Sequence, residues 1–166
     1  MIDRRSLHSG KNGRIFQINI SRGGVPKFAC ENCELVELGL VGDQQSSSDV
    51  HGGFERALCL YSLERINQLQ TEGHPVFPGA LGENITLSGL NWETVVPGVI
   101  LMTGRGVRIQ VTSFTSPCRT IEKYFMRNEY SRISQKVKPG WSRVYARVLQ
   151  GGRVQIGDSI RIVNNL

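Results

Sequence analysis

One cysteine in this sequence is placed for chemistry. Cys118 lies in SFTSPCRTIEKYFMRNEYSR, residues 113–132, between a proline and an arginine. Ser116 is suited to cap a helix, and Pro117 to its first position, where a missing N–H costs nothing. The spacing predicts a helix opening at Cys118, with the thiol beside unpaired backbone N–H groups and the positive end of the dipole. Arg119 and Lys123 add positive charge nearby. All of this favours thiolate, the form that attacks sulfur or binds a soft metal. The alternative is a small hydrophobe turned inward.

The remaining thiols read differently. Cys30 and Cys33 form CENC, whose spacing suits a redox pair or half a zinc site. No second CxxC and no HxxxH follows, and CELVELGL continues as strand. Incidental cysteines, still able to form a disulfide, are the better reading. Cys59 falls in an amphipathic stretch and reads as a core thiol.

Other polar residues are candidates for holding a ligand. His51, Gly52 and Gly53 precede the clearest helical pattern. The glycines allow close backbone approach, and the helix N-terminus behind them can face an anion; a turn histidine bonded to a carbonyl is the alternative. Arg56, in that helix's first turn, runs against the dipole and calls for a partner: a ligand phosphate, Glu55 or Glu83. In GENI, residues 82–85, Glu83 and Asn84 stand at a glycine turn, where Asn84 either meets a ligand edge or caps the turn. Arg147 sits in the alternating strand VYARVL and wants an anion if it faces inward. Trp92, Trp141 and Tyr145 read as packing residues.

The elements that must position these groups are mostly strands. GRIFQINIS alternates Phe16, Ile18 and Ile20 with Gln17 and Asn19, a half-buried strand. VPKFAC and CELVELGLVGD continue in β fashion. GVILMTGRGVRIQVTSF reads as two strands around a Gly104–Gly106 turn, and SRVYARVLQGGRVQIGDSIRIV as two or three. FERALCLYSLERINQLQTEG reads as the clearest helix, with Phe54, Ala57, Leu58, Tyr61, Ile66 and Leu69 on one face and Gly73 as its stop. Nineteen glycines at the breaks suit many short strands. The expectation is one domain over residues 1–166, mainly β with a few helices, built as a closed or nearly closed barrel.

Composition narrows the setting. No apolar run is long enough for a transmembrane helix, and the polar N-terminus lacks a secretory segment. A cytoplasmic protein with reduced thiols is the expectation. The net charge of +6 is uneven. Residues 31–93 are acid-rich, with only Arg56 and Arg65 as bases, whereas residues 119–147 carry Arg119, Lys123, Arg127, Arg132, Lys136, Lys138, Arg143 and Arg147. That segment suits an anion beside the thiol, or pairs with the acidic half. No nucleic-acid-reading motif accompanies it.

Taken in order, GLVGDQQ (39–45), VHGGFERALCLYSLERI (50–66), PGALGENITLSGLNW (78–92), SPCRT (116–120) and PGWSRVYARVLQGGRVQIGDSI (139–160) resemble a MOSC domain. That family is named for the C-terminal domain of molybdenum cofactor sulfurases. The resemblance covers residues 13–163 and points to the small stand-alone bacterial type. It implies a β-barrel with one reactive cysteine, here Cys118. In some such proteins the cysteine carries a persulfide received from a pyridoxal-phosphate-dependent cysteine desulfurase. In others it ligates the metal of a molybdenum–pterin cofactor, and the protein reduces N-hydroxylated compounds with electrons from a separate donor protein. Pyridoxal phosphate then belongs to a partner. The chain departs from many metal-binding members in having Phe114, Thr115, Ser116 and Pro117 just before the cysteine, without the arginine those members show there. That departure weighs on the metal reading more than on the sulfur reading.

Two chemical readings and one inert reading follow. Cys118 holds a molybdenum–pterin cofactor, with His51, Gly52, Gly53, Arg56, Glu83, Asn84, Arg119, Lys123 and Arg147 as candidate cofactor-binding residues. Or it passes sulfane sulfur by thiolate attack. Or the protein is a ligand-binding barrel with no redox role.

Overall fold

The computed structural model describes residues 12–44 and 53–163. Eleven strands are numbered in chain order: β1 (Gly13–Ile20), β2 (Phe28–Cys30), β3 (Asn32–Val36), β4 (Gly39–Leu40), β5 (Leu58–Ser62), β6 (Ile85–Ser88), β7 (Ile100–Thr103), β8 (Arg108–Phe114), β9 (Val144–Gln150), β10 (Gly152–Gln155) and β11 (Ser159–Val163). The sheet order β11-β7-β8-β9-β5-β6-β1-β2 is closed by pairing of β11 with β1. Strands β1, β6, β5, β9, β8, β7 and β11 therefore form a barrel, as expected, with β2 added outside the closure along β1. A small sheet, β10-β3-β4, lies beside it.

Between these strands all pairings are antiparallel except β5 with β6, which are parallel. A parallel pair needs a crossover, and the helix α1 (Leu63–Thr71) lies in it. The Ser62 hydroxyl caps α1 by accepting the Arg65 N–H at 3.2 Å. Ile66 and Leu69 are its buried face. Gly73, at φ 98°, ends it where a left-handed residue is needed.

The long helix expected over residues 54–73 is corrected. Phe54–Arg56 form a short 3-10 turn, and Leu58–Ser62 are strand β5. All five residues of β5 are buried. A strand covered on both faces shows no polar alternation, so its apolar run fits a helical face by coincidence. The alternation expected in β1 is also corrected. Its register against β6 shifts between Ile15 and Gln17, so Ile15 and Ile18 enter the core while Phe16 is 43% exposed.

Among the described residues no helix is long and apolar enough to cross a membrane.

Candidate functional site

Five segments meet around one open cavity of about 110 Å³. The β1–β2 connection brings Gly24, Val25 and Lys27; the start of β5 brings Arg56 and Cys59; the GENI turn brings Leu81, Gly82 and Asn84. The chain after β8 contributes Thr115, Ser116, Cys118, Thr120 and Ile121, and the entry to β9 contributes Arg143 and Tyr145. The volume holds several waters or a phosphate-sized group, so a larger ligand extends across the mouth.

Cys118 is exposed at this cavity. Its backbone is extended (φ −134°, ψ 173°) and precedes a six-residue 3-10 segment, Arg119–Tyr124. The helix expected to open at Cys118 is thus corrected: no α-helix begins there, and the dipole invoked for the thiol goes with it. Its Sγ instead shares a hydrogen bond with Thr120 Oγ1 at 2.6 Å. Arg119 is 85% exposed and faces Glu122 at 3.7 Å, and Lys123 lies over the Tyr124 ring. Neither lines the cavity.

The cations that do line it are Lys27, Arg56 and Arg143. Arg143 is only 6% exposed; one terminal nitrogen donates to the Leu81 carbonyl, and its Nε has no hydrogen-bond partner. Thr115 Oγ1 is likewise buried without one. Buried donors of this kind are uncommon unless a ligand or water meets them. The backbone fixes this corner: the Thr115 N–H donates to the Arg143 carbonyl at 2.9 Å, and Ser142 Oγ donates to the Thr115 carbonyl at 3.0 Å.

Lys27 is held by Asp43, Nζ to Oδ1 at 2.6 Å, both side chains under a tenth exposed. Asp43 Oδ2 accepts from Asn84 Nδ2 at 2.9 Å, and Asn84 Oδ1 accepts the Cys59 N–H at 2.9 Å. Asn84 thus bolts the GENI turn to β5 and to the Lys27 pair. Gly79 sets the approach: a Cβ there would lie 2.3 Å from the Lys27 carbonyl oxygen. Glu83 is fully buried, accepting the Gly79 N–H at 2.6 Å and the Thr86 hydroxyl at 3.2 Å. Burial pushes its pKa up, partly offset by the Gly79 N–H. It braces the turn and does not line the cavity.

Of the remaining residues read from the sequence, His51 and Gly52 lie outside the described residues. Gly53 is exposed beside the 3-10 turn and is not in the cavity wall. Arg56 reaches the wall and lies over the Tyr145 ring at 5.2 Å. Arg147 faces outward, bonded to Gln110 and Glu55. Two bases of the basic segment pair with the acidic half, Arg132 with Glu72 at 2.6 Å and Arg147 with Glu55 at 3.4 Å. Of the eight bases of that segment, Arg143 is the one that lines the cavity. Cys59 is buried as expected, but on a strand and in the cavity wall. Tyr145 is wall as well as packing, and burial raises the pKa of its phenol.

Lys27 and Thr115 were missed by reading the sequence, while Arg143 was read only as one of eight bases in the segment suited to an anion beside the thiol. Lys27 follows a Gly-Gly-Val-Pro turn and carries no local signal, and nothing local singles out Arg143, just before β9, from the other bases. An arginine does stand in the cavity with Cys118, supplied by the entry to β9.

The arrangement offers an accessible thiol, three cations and an apolar wall of Val25, Leu81 and Ile121. It suits a ligand that bears an anionic group and an atom with affinity for sulfur. Among the described residues no three His, Cys, Asp or Glu side chains converge on a metal position. A metal at Cys118 would therefore draw other ligands from the group that brings it.

Comparison with known proteins agrees with the barrel. Residues 47–161 match the family model described as MOSC domain. The chain is 32% identical over 137 residues to Protein YiiM of Escherichia coli (strain K12), covering 80% of this chain and 59% of that protein. It is 30% identical over 130 residues to a protein named Reductase from Gibberella moniliformis (strain M3125 / FGSC 7600), covering 75% of this chain and 22% of that one. The crystal structure of YiiM from Geobacillus stearothermophilus superposes with a TM-score of 0.72 at 26% identity, covering 92% of this chain and 75% of that one. The chain thus spans less than two thirds of the Escherichia coli relative.

Proposed function

Because this chain belongs to the MOSC domain family, we propose that it holds a molybdenum–pterin cofactor against Cys118 and reduces N-hydroxylated compounds. The observation that carries this reading is the sharing of one cavity by the exposed Cys118 thiol and the buried, unpartnered Nε of Arg143. A thiolate suits a soft metal, and a guanidinium suits a phosphate. A phosphorylated pterin bearing molybdenum presents both.

Cys118 would be the protein's ligand to the metal. Lys27, Arg56 and Arg143 would hold the phosphate, with Asp43 and Asn84 fixing where Lys27 stands. Val25, Leu81 and Ile121 would exclude water from the flat ring system. Burial keeps the Tyr145 phenol protonated, so its hydroxyl acts as a donor and not as an anion. When bound, the cofactor supplies the two-electron chemistry that removes oxygen from an N-hydroxyl group. Electrons come from a separate donor protein. The name of the Gibberella moniliformis relative is consistent with a reductive role. A reducing cytoplasm suits four free cysteines.

A second reading rests on the exposure of Cys118 and its contact with the Thr120 hydroxyl. An accessible sulfur with a hydroxyl beside it suits a persulfide carrier served by a pyridoxal-phosphate-dependent desulfurase.

The test is reduction of an N-hydroxylated purine by protein made in a host that produces the cofactor, with an artificial electron donor. Turnover that disappears in Cys118→Ser supports the reading, and full turnover in that variant overturns it. Persulfide on Cys118 after incubation with a desulfurase, in protein that neither binds metal nor turns over, supports the carrier.

A further inference from the structure

We propose that Cys30 and Cys33 are a redox-active dithiol that closes to a disulfide and thereby loosens the segment holding Lys27 in the Cys118 cavity. Cys30 is the last residue of β2 and Cys33 the second of β3. The two thiols are close enough to influence each other, Cys33 helping burial to hold the Cys30 thiol protonated, and both are half-buried against the core edge. Neither lines the Cys118 cavity, so the pair is a separate site.

The link to the cavity is short. The Cys33 thiol donates to the Val41 carbonyl at 3.1 Å. Two residues on, Asp43 accepts from Lys27 Nζ, the Ser21 N–H and Asn84 Nδ2 at 2.6, 2.9 and 2.9 Å. A disulfide has no S–H, so its formation leaves the Val41 carbonyl without that donor.

The oxidant is a low-molecular-weight disulfide such as glutathione disulfide. One thiolate of the pair attacks it, forming a mixed disulfide and expelling one glutathione thiolate. The second protein thiolate attacks the mixed disulfide, the Cys30–Cys33 bond forms, and the second glutathione leaves. Two thiols are oxidised, one disulfide is reduced, and the two protons go to the departing thiolates. Burial and the Asp43 carboxylate hold both thiols toward the protonated form, so the exchange is faster in mildly alkaline buffer.

The full chain is treated with glutathione disulfide at mildly alkaline pH, alongside Cys30→Ser. Intact mass, peptide mapping and amide hydrogen exchange are then read. Expected are loss of two hydrogens located to the peptide holding residues 30 and 33, and several-fold faster exchange over residues 41–44. Neither change occurs in Cys30→Ser. The proposal is overturned if Cys30 and Cys33 remain thiols, or stop at a glutathione adduct, while Cys118 is modified. It is equally overturned if the disulfide forms and exchange over residues 41–44 is unchanged.

Discussion

The buried Nε of Arg143 and the exposed thiol of Cys118 line the same cavity, and the backbone couples their positions. The Arg143 carbonyl accepts the N–H of Thr115, three residues before the thiol, and the Ser142 hydroxyl donates to the carbonyl of Thr115 itself. The guanidinium and the thiol are thus positioned by one corner of the barrel rim, where β8 leaves and β9 enters.

Arg143→Met should weaken binding of inorganic phosphate to the cavity about 10- to 100-fold, since a hydrogen bond to a charged group contributes roughly 1.5–3 kcal/mol. Titration calorimetry, or protection of Cys118 from alkylation by phosphate, reads this out. Arg143→Lys should fall between, because it keeps the charge and loses the Nε donor. Equal phosphate affinity in all three proteins would remove Arg143 from the site.

Cys118 and Cys59 should differ sharply in reactivity. Cys118 is exposed and should alkylate first, by about tenfold or more over Cys59, whose burial disfavours the thiolate. Mass spectrometry of timed alkylation checks this, and comparable labelling of Cys59 and Cys118 in the native protein would contradict the site.

Asn84→Ala should destabilise the barrel by about 1–3 kcal/mol, because the buried Cys59 N–H loses its acceptor. Asn84→Asp keeps an acceptor for Cys59 but places a carboxylate against Asp43, to which the native amide donates. Its deficit should be largest at neutral pH and shrink in acid. Denaturant midpoints at several pH values would show this, and a pH-independent deficit would contradict the network.

Glu83 gives a pH dependence of opposite sense. Burial raises its folded pKa, so the folded state binds the proton more tightly than the unfolded chain. Its contribution is fully present below the unfolded carboxylate range and is lost as pH rises through the folded pKa. Glu83→Gln cannot ionise, so the stability of the wild-type protein relative to this variant should fall as pH rises from acid toward neutral. A constant difference between the two proteins would contradict it.

Much of the barrel is legible where one strand face meets the core and a glycine marks the turn, as in β7 and β8 around Gly104 and Gly106. The reading fails where tertiary burial overrides the local pattern. Leu58–Ser62 are covered on both faces and mimic a helix, and the β1 register shift turns Phe16 outward. Cys118 is legible because a thiol in a Ser-Pro-Cys-Arg turn is chemically conspicuous. Lys27 is not, and Arg143 is legible only as one base among eight, because what gathers them at one rim is the meeting of segments distant in sequence. Asn84 is legible as a site-forming residue, but its side chain is spent on the Cys59 N–H and Asp43.

The central claim, that Cys118 anchors a metal-bearing cofactor in this cavity, is tested most directly by molybdenum content. The protein and its Cys118→Ser variant, purified from a host that makes the cofactor, are compared by elemental analysis. The account predicts near-stoichiometric molybdenum in the wild-type protein and its loss in the variant. Absence of the metal from both proteins, or its full retention without the thiol, would contradict it.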